Sequence, residues 1–227
     1  MDNFGVPTIK MRVYFSSYHL WAADHLAKLA RQIEDTHLRR SRFDIKHRAY
    51  VTNSIFSSVA FMESAINELF QDASERYTAY LSSLPEQAVT LLADYCNRTT
   101  QKKRRGKSIL GKYKLSLHLC GKKPFEEEES PYKEVNHVVQ LRNTLVHYKP
   151  QTLGGDAIHQ LTSQLMGQFP ENKLMAGSGN PYFPDKVLGY GCAEWATSSV
   201  RKFCDVFFSE IGVIPNYQQV NFSFAGG

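Results

Sequence analysis

The sequence lacks any long apolar run. No stretch approaches the roughly 18 apolar residues that a membrane helix needs, and the mean hydropathy is −0.38. The first residues show no apolar segment followed by a small-residue cleavage site, so we expect no secretory signal. The chain has 227 residues, of which 42% are hydrophobic and 22% charged. This composition excludes disordered, collagen-like and rod-like coiled-coil proteins and predicts one globular domain in the cytoplasm, without membrane contact.

Cysteine is also scarce. None of the four cysteines forms a C-x-x-C pair, and no His/Cys cluster has the spacing of a zinc site. We therefore predict no bound metal and no cofactor. Cys192 and Cys204 fall on an apolar helical stripe, which predicts reduced thiols in the core. We expect no disulfide in a cytoplasmic chain of this size.

Acidic residues are missing between Arg98 and Lys123, where ten basic residues occur. The rest of the chain has 17 basic and 22 acidic residues, so the positive charge is local. Such a segment suits a polyanion such as nucleic acid, although a solvated loop is the alternative. The candidate nucleic-acid-binding residues are Lys102, Lys103, Arg104, Arg105 and Lys107.

Alternation of strand and helix patterns is absent, which disfavours a parallel sheet. Apolar residues recur at helical spacing nearly throughout. The fold class we predict is all-α, an up-and-down helical bundle of about five to six main helices with a long irregular connection, 148–186, before the last helix. That connection is expected to hold a short helix at 156–166. The tail 213–227 is predicted to be irregular, with a short strand at 220–224 as an alternative. Predicted main helices span 14–38, 45–72, a segment starting at Pro85, 108–120, 131–147 and 187–210.

One predicted helix breaks its own pattern. Its apolar stripe comprises Val135, Val138, Val139, Leu145 and Val146. Position 142 is the natural centre of that stripe, yet it is occupied by Arg142. Burying an unpaired charge is costly, so we expect this arginine to have a partner or to face a wet cleft.

Asn143 and His147 stand four residues apart, so they share a face of that helix. Together with Arg142 they gather an amide, an imidazole and a guanidinium near one helix end. This set suits phosphodiester cleavage in RNA, because histidine transfers protons near neutral pH and arginine stabilises charge on phosphoryl oxygens. The alternative is that Arg142 pairs with a buried carboxylate and His147 caps the helix.

The string RNTLVH, residues 142–147, resembles the Arg-x4-6-His motif of the HEPN superfamily, in which a polar residue, commonly Asn, often follows the arginine. The upstream segment SIFSSVAFMESAINELF and the downstream segment GCAEWATSSVRKFCDVFF are similar to helices of the HEPN core. The resemblance covers roughly residues 45–210, with the predicted helix 14–38 packed on this core and the connection 148–186 as an insertion.

The resemblance implies an activity and a site. Many members are metal-independent endoribonucleases whose site forms at a two-fold dimer interface, and others are inactive dimerisation or binding modules. His147 would be the general acid/base, Arg142 the phosphate-stabilising cation and Asn143 an orienting residue. We therefore expect a homodimeric endoribonuclease acting on RNA, as a toxin or defence-type effector with a neutralising protein partner. The alternative is an inactive module that binds RNA or protein.

Two further residues are assigned supporting roles. Glu63 also interrupts an apolar stripe, since it lies four residues after Val59 and three before Ile66. Our hypothesis is that it approaches Arg142 across the bundle, and the alternative is that it reaches solvent. Tyr148 adjoins the motif and would stack on a base or pack on the last helix.

Overall fold

The computed structural model describes residues 11–36, 43–77, 81–101, 107–150, 159 and 161–219. Within these ranges every regular element is helical and none is a strand, which confirms the all-α class. The α-helices are α1 (Phe15–Thr36), α2 (Ile45–Ser74), α3 (Glu86–Gln101), α4 (Ile109–Leu119), α5 (Tyr132–Val146), α6 (Thr162–Leu165), α7 (Tyr190–Ile211) and α8 (Asn216–Gln219). Six of them have at least eleven residues, as the sequence predicts.

The 30-residue helix α2 forms the centre of the bundle. It packs against α1, α3, α4, α5 and α7. Apolar residues at three- and four-residue steps, including Val51, Ile55 and Met62, are fully buried along it. Such a stripe stabilises a helix mainly through tertiary packing. The helix begins where the Asp44 carboxylate accepts the backbone N–H of His47, an N-terminal cap.

Helices α1 and α5 lie on opposite sides of the α2–α7 pair. Each packs against both α2 and α7. Extensive contact between α1 and α5 is absent from the part of the chain that the structure describes. Surfaces on the outer sides of α1 and α5 are therefore separate.

Both ends of α4 agree with the predicted helix at 108–120. The Ser108 hydroxyl accepts the backbone N–H of Gly111 at the start. Gly121 follows the helix with φ of +69°, a conformation that favours glycine. The start of the predicted helix 187–210 is different in the structure, because α7 begins at Tyr190 rather than at position 187. Gly189 just before it has extended backbone, φ −120° and ψ 177°, and so ends the preceding turn.

The connection before α7 is more ordered than predicted. Besides α6 it contains a 3₁₀ turn at Lys173–Met175 and a kinked turn at Tyr182–Lys186, in which Phe183 has extended backbone with φ of −100° and ψ of 132°. Of the short helix predicted at 156–166, the structure shows only α6, and 156–158 and 160 lie outside the described residues. The order comes from the buried side chain of Asn172, whose amide group donates to the carbonyls of Asp185 and Leu188. Hydrophobic periodicity does not register such a contact.

The predicted irregular tail is wrong at α8. Tyr217 of this helix is buried, its hydroxyl donates to Asp205 Oδ1 over 2.9 Å, and its ring lies 4.8 Å from that of Phe61. One aromatic anchor thus holds a four-residue helix too short to show a periodic pattern. Residues 220–227, which include the alternative strand, lie outside the described residues.

Candidate active site

The candidate site stands at the C-terminal end of α5, and its arginine is unpaired. Arg142 is half-buried; its Nε atom is shielded from solvent and has no hydrogen-bond partner among the described residues. The fully buried position in this turn belongs to Leu141, so the prediction that residue 142 is the stripe centre is wrong. The buried residues follow three-residue steps through Val135, Val138 and Leu141.

Asn143 and His147 are both exposed at this helix end. His147 is the last cap position of α5, and its backbone N–H donates to the carbonyl of Asn143 over 3.0 Å. Four residues apart, the two side chains lie on the same outer face. The imidazole and the amide are therefore accessible to a ligand at the same helix end as Arg142, which directly precedes Asn143 and lies five residues, or about 1.4 turns, before His147.

The two supporting residues have different outcomes. Glu63 is half-buried on α2, which packs against α5. Among the described residues it forms no hydrogen bond or ion pair with Arg142, so the expected pairing is not present in this structure. Tyr148 has 39% of its surface exposed and is not among the residues packed against the hydrophobic core. Its ring is accordingly available beside the motif.

The predicted basic segment is described only in part. Lys102, Lys103, Arg104 and Arg105 lie outside the described residues, and Lys107 is exposed ahead of α4. Farther along, the Lys112 ammonium donates to Asn67 Oδ1 over 2.8 Å. Lys114 pairs with Glu127 and lies 4.8 Å from the ring of Tyr132. Of the five predicted nucleic-acid-binding residues, Lys107 is the one that lies in the described ranges.

A buried polar cluster, here called the Glu34 cluster, escaped the sequence analysis. Glu34 Oε1 lies 2.8 Å from His47 Nε2 and accepts the backbone N–H of Tyr190 over 2.7 Å. Its Oε2 accepts the backbone N–H of Lys173 over 3.1 Å. One carboxylate thereby joins the end of α1 to the starts of α2 and α7 and to the connection. The helical spacing could have indicated this position, because Glu34 lies four residues after Ala30, which is buried.

The cysteine prediction agrees with the structure. All four thiols are free, and Cys192 and Cys204 are fully buried. Burial raises the pKa of both buried thiols, and it raises the pKa of half-buried Cys120 to about 11. A thiolate nucleophile is thus disfavoured at these three positions.

The described ranges contain neither a group of metal-ligating side chains nor a membrane-spanning helix. No group of three or more His, Cys, Asp or Glu side chains there is placed to hold a metal ion. Likewise, none of the described helices combines the length and apolar character that crossing a bilayer requires.

Four cavities of about 120 to 390 Å³ are lined by residues of α1, α3, α4, α7, α8 and their neighbouring turns, and none of these four by a described residue of α5. The described side chains of Asn143, His147 and Tyr148 are exposed at the surface of one chain. Comparison with protein-family models, curated proteins and solved structures finds no match for this chain.

Proposed function

We propose that the chain is a metal-independent endoribonuclease that acts as a homodimer. The observation that carries this proposal is the guanidinium of Arg142, whose Nε has no partner among the described residues, at the same helix end as the exposed His147. In the reaction, a ribose 2′-hydroxyl attacks the adjacent phosphate and the 5′-oxygen of the next nucleotide leaves. The products carry a 2′,3′-cyclic phosphate and a 5′-hydroxyl.

Arg142 supplies the charge that this reaction needs. A shielded N–H donor without an acceptor costs about 1–3 kcal/mol, so an incoming acceptor is favoured there. Phosphate oxygens bind the planar guanidinium through two parallel hydrogen bonds. As negative charge develops on the phosphoryl oxygens, a cation fixed on a helix stabilises the transition state more than the ground state.

His147 transfers protons in this reaction. Because each chain offers one such histidine at the described end of α5, the reaction favours a dimer. Cleavage needs one group that accepts the proton of the 2′-hydroxyl and another that donates a proton to the leaving oxygen. The described end of α5 offers one imidazole per chain. Two copies facing each other across a two-fold axis would provide both, with each Asn143 orienting the histidine or the phosphate.

The surface around the motif suits such a contact. Val146 is 50% exposed and Tyr148 is 39% exposed, on either side of His147. Adjacent apolar side chains at a surface favour association with another molecule. The Tyr148 ring is also suited to stack on an unpaired base.

The basic segment would bring RNA to this site. Lys107 and its neighbours 102–105 add positive charge ahead of α4. RNA affinity should then fall as salt concentration rises, because binding releases counterions. A toxin or defence-type effector with this activity would require a neutralising protein partner in the cell.

The test is cleavage of a mixed-sequence labelled RNA in EDTA. We expect the wild type to cut and to leave cyclic-phosphate ends, and both Arg142→Ala and His147→Ala to lose activity. Arg201→Ala, at a well-exposed arginine of α7 outside the basic segment, is the matched control and should cut normally. Circular dichroism and sedimentation would show that each variant is folded and has the wild-type mass.

The second candidate is an inactive module that dimerises or binds RNA or protein. The observation that favours it is the open position of the motif, outside the cavities described above. Failure of every folded dimer to cut, with RNA binding retained, would replace the nuclease by this module. Activity that appears only with added divalent ions would contradict the metal-independent mechanism.

A further inference from the structure

A strip of exposed apolar side chains runs along the start of α1 and the residues before it. Five of the twelve exposed large hydrophobic side chains in the described ranges fall within these eleven positions. This α1 strip consists of Met11 (80% exposed), Val13 (46%), Phe15 (59%), Tyr18 (61%) and Trp21 (37%). Exposed apolar residues clustered in this way mark an interaction surface rather than random scatter.

The charges around the α1 strip argue against nucleic acid as its ligand. Among the described residues, the cations near it already have carboxylate partners. These pairs are Arg12 with Asp72 and Glu75, Lys28 with Asp24 at 2.6 Å, and Arg201 with Asp205 at 3.8 Å. The described part of this surface therefore offers a phosphate backbone no unpaired cation, and an apolar protein surface is the better complement.

We propose that the α1 strip binds a second copy of this chain, with two α1 helices antiparallel and a two-fold axis over Tyr18. The spacing supports this arrangement because Phe15 and Trp21 stand three residues to either side of Tyr18. A two-fold contact pairs the same patch with itself, so each Phe15 meets the partner subunit's Trp21.

The apolar area of the strip is on the scale of a dimer. A buried aromatic side chain covers about 150–250 Å², and the three rings here are exposed by 37–61%. With Met11 and Val13 they offer several hundred Å² per chain. A standard interface buries about 800 Å² on each partner, so the strip forms most of the apolar centre and its polar neighbours would complete the rim.

Cavities flank Tyr18 on both sides. One of about 390 Å³ is lined by Met11, Val13, Tyr18 and the start of α8. Another of about 360 Å³ is lined by Leu20, Trp21 and residues of α7. Two recesses, one at each side of the proposed axis, can each receive a side chain of the other copy.

This inference stands apart from the proposed nuclease. The α1 strip and the end of α5 lie on opposite sides of the α2–α7 pair. A contact through α1 therefore leaves the motif uncovered, and the two proposals can fail separately.

The test is site-directed disulfide cross-linking in the full chain. Tyr18→Cys lies on the proposed axis, so its two copies come within disulfide reach and should give a covalent dimer on mild oxidation. Lys28→Cys, on the same helix, is the register control. Its two copies would stand roughly 30 Å apart, from 20 helical positions at 1.5 Å each, and should give no covalent dimer. The unsubstituted chain controls for its own four cysteines.

A second measurement covers the case in which cysteine disturbs the contact. Tyr18→Asp places two carboxylates next to each other at the proposed axis, and we expect it to weaken self-association about tenfold or more in sedimentation. Equal cross-linking at positions 18 and 28, or a wild type that stays monomeric at high concentration, would overturn the proposal. The latter result would show that another molecule or another part of this chain covers the strip.

Discussion

The Glu34 cluster and the end of α5 differ in the number of hydrogen-bond partners that the chain supplies to a charged side chain. Each contains one charged residue on a helix that packs into the bundle. Glu34 is buried and its carboxylate has three partners, from His47, Tyr190 and Lys173. Arg142 is half-buried and its Nε has none among the described residues.

The difference separates a structural charge from a candidate functional one. A buried charge whose partners are all supplied by its own chain contributes to one defined fold. A shielded donor left without a partner has a free energy that only another molecule can lower. The comparison therefore predicts that loss of Glu34 damages stability, whereas loss of Arg142 damages activity.

The largest expected effect tests the first half of this comparison. Glu34→Ala should lower the free energy of unfolding by about 3–5 kcal/mol, because it leaves a buried histidine and two backbone donors without their acceptor. Urea denaturation followed by circular dichroism measures this change. Asp35→Ala is the adjacent control, since Asp35 pairs with Lys173 at the exposed surface and such pairs contribute about 0–1 kcal/mol. Similar losses for both variants would remove the distinction.

The second prediction concerns Arg142. Arg142→Lys keeps the charge but removes the planar fork, so we expect kcat for RNA cleavage to fall about 10²–10³-fold. Stability should not fall, because the substitution removes an unpaired donor. Single-turnover cleavage and urea denaturation of the same preparation measure both. A variant that unfolds more easily but cuts normally would assign Arg142 to the structure instead.

The third prediction concerns the pH dependence of stability that arises from buried neutral side chains. Burial raises the pKa of the phenol of Tyr113 and of the thiols of Cys192 and Cys204 above their ordinary values of 10.0 and 9.0. Their stabilising contribution is complete below the unfolded-state pKa and is lost as pH rises above it. Each group should then reduce the folding equilibrium constant about tenfold per pH unit.

Urea titrations between pH 8 and pH 11 would measure this loss. Cys192→Ala should make the slope of stability against pH shallower by one proton above pH 9, whatever its effect at neutral pH. Stability that does not depend on pH in this range would show that these groups ionise equally easily in the folded chain.

The smallest expected effect is at Glu63. Because Glu63 does not pair with Arg142 in the described contacts, Glu63→Gln should change kcat and stability by less than a factor of two. Assays in parallel with Arg142→Lys provide the scale. A loss of activity with an unchanged fold would show that the two residues do meet when RNA or a second chain binds.

Sequence periodicity predicts the main helices well because each buries a stripe against α2. It fails where order depends on one residue, as with Asn172 in the connection and Tyr217 in α8. The same reasoning that selected Arg142 would have selected Glu34, which follows the buried Ala27 and Ala30. Partners cannot be predicted in this way, since pairing depends on the distance between helices.

The hydrogen bond from Tyr190 to Glu34 also has a consequence for the order of folding. Helix α7 begins after Gly189, which has no side chain to cap it, and the acceptor for its first N–H comes from a residue 156 positions earlier. Contacts of such long sequence separation form slowly, because a large loop must close first. During synthesis, α1 and α2 can pair early, but the hydrogen bond from Tyr190 to Glu34 must wait until residue 190 has left the ribosome. The start of α7 should therefore be among the last parts of the bundle to become protected from hydrogen exchange.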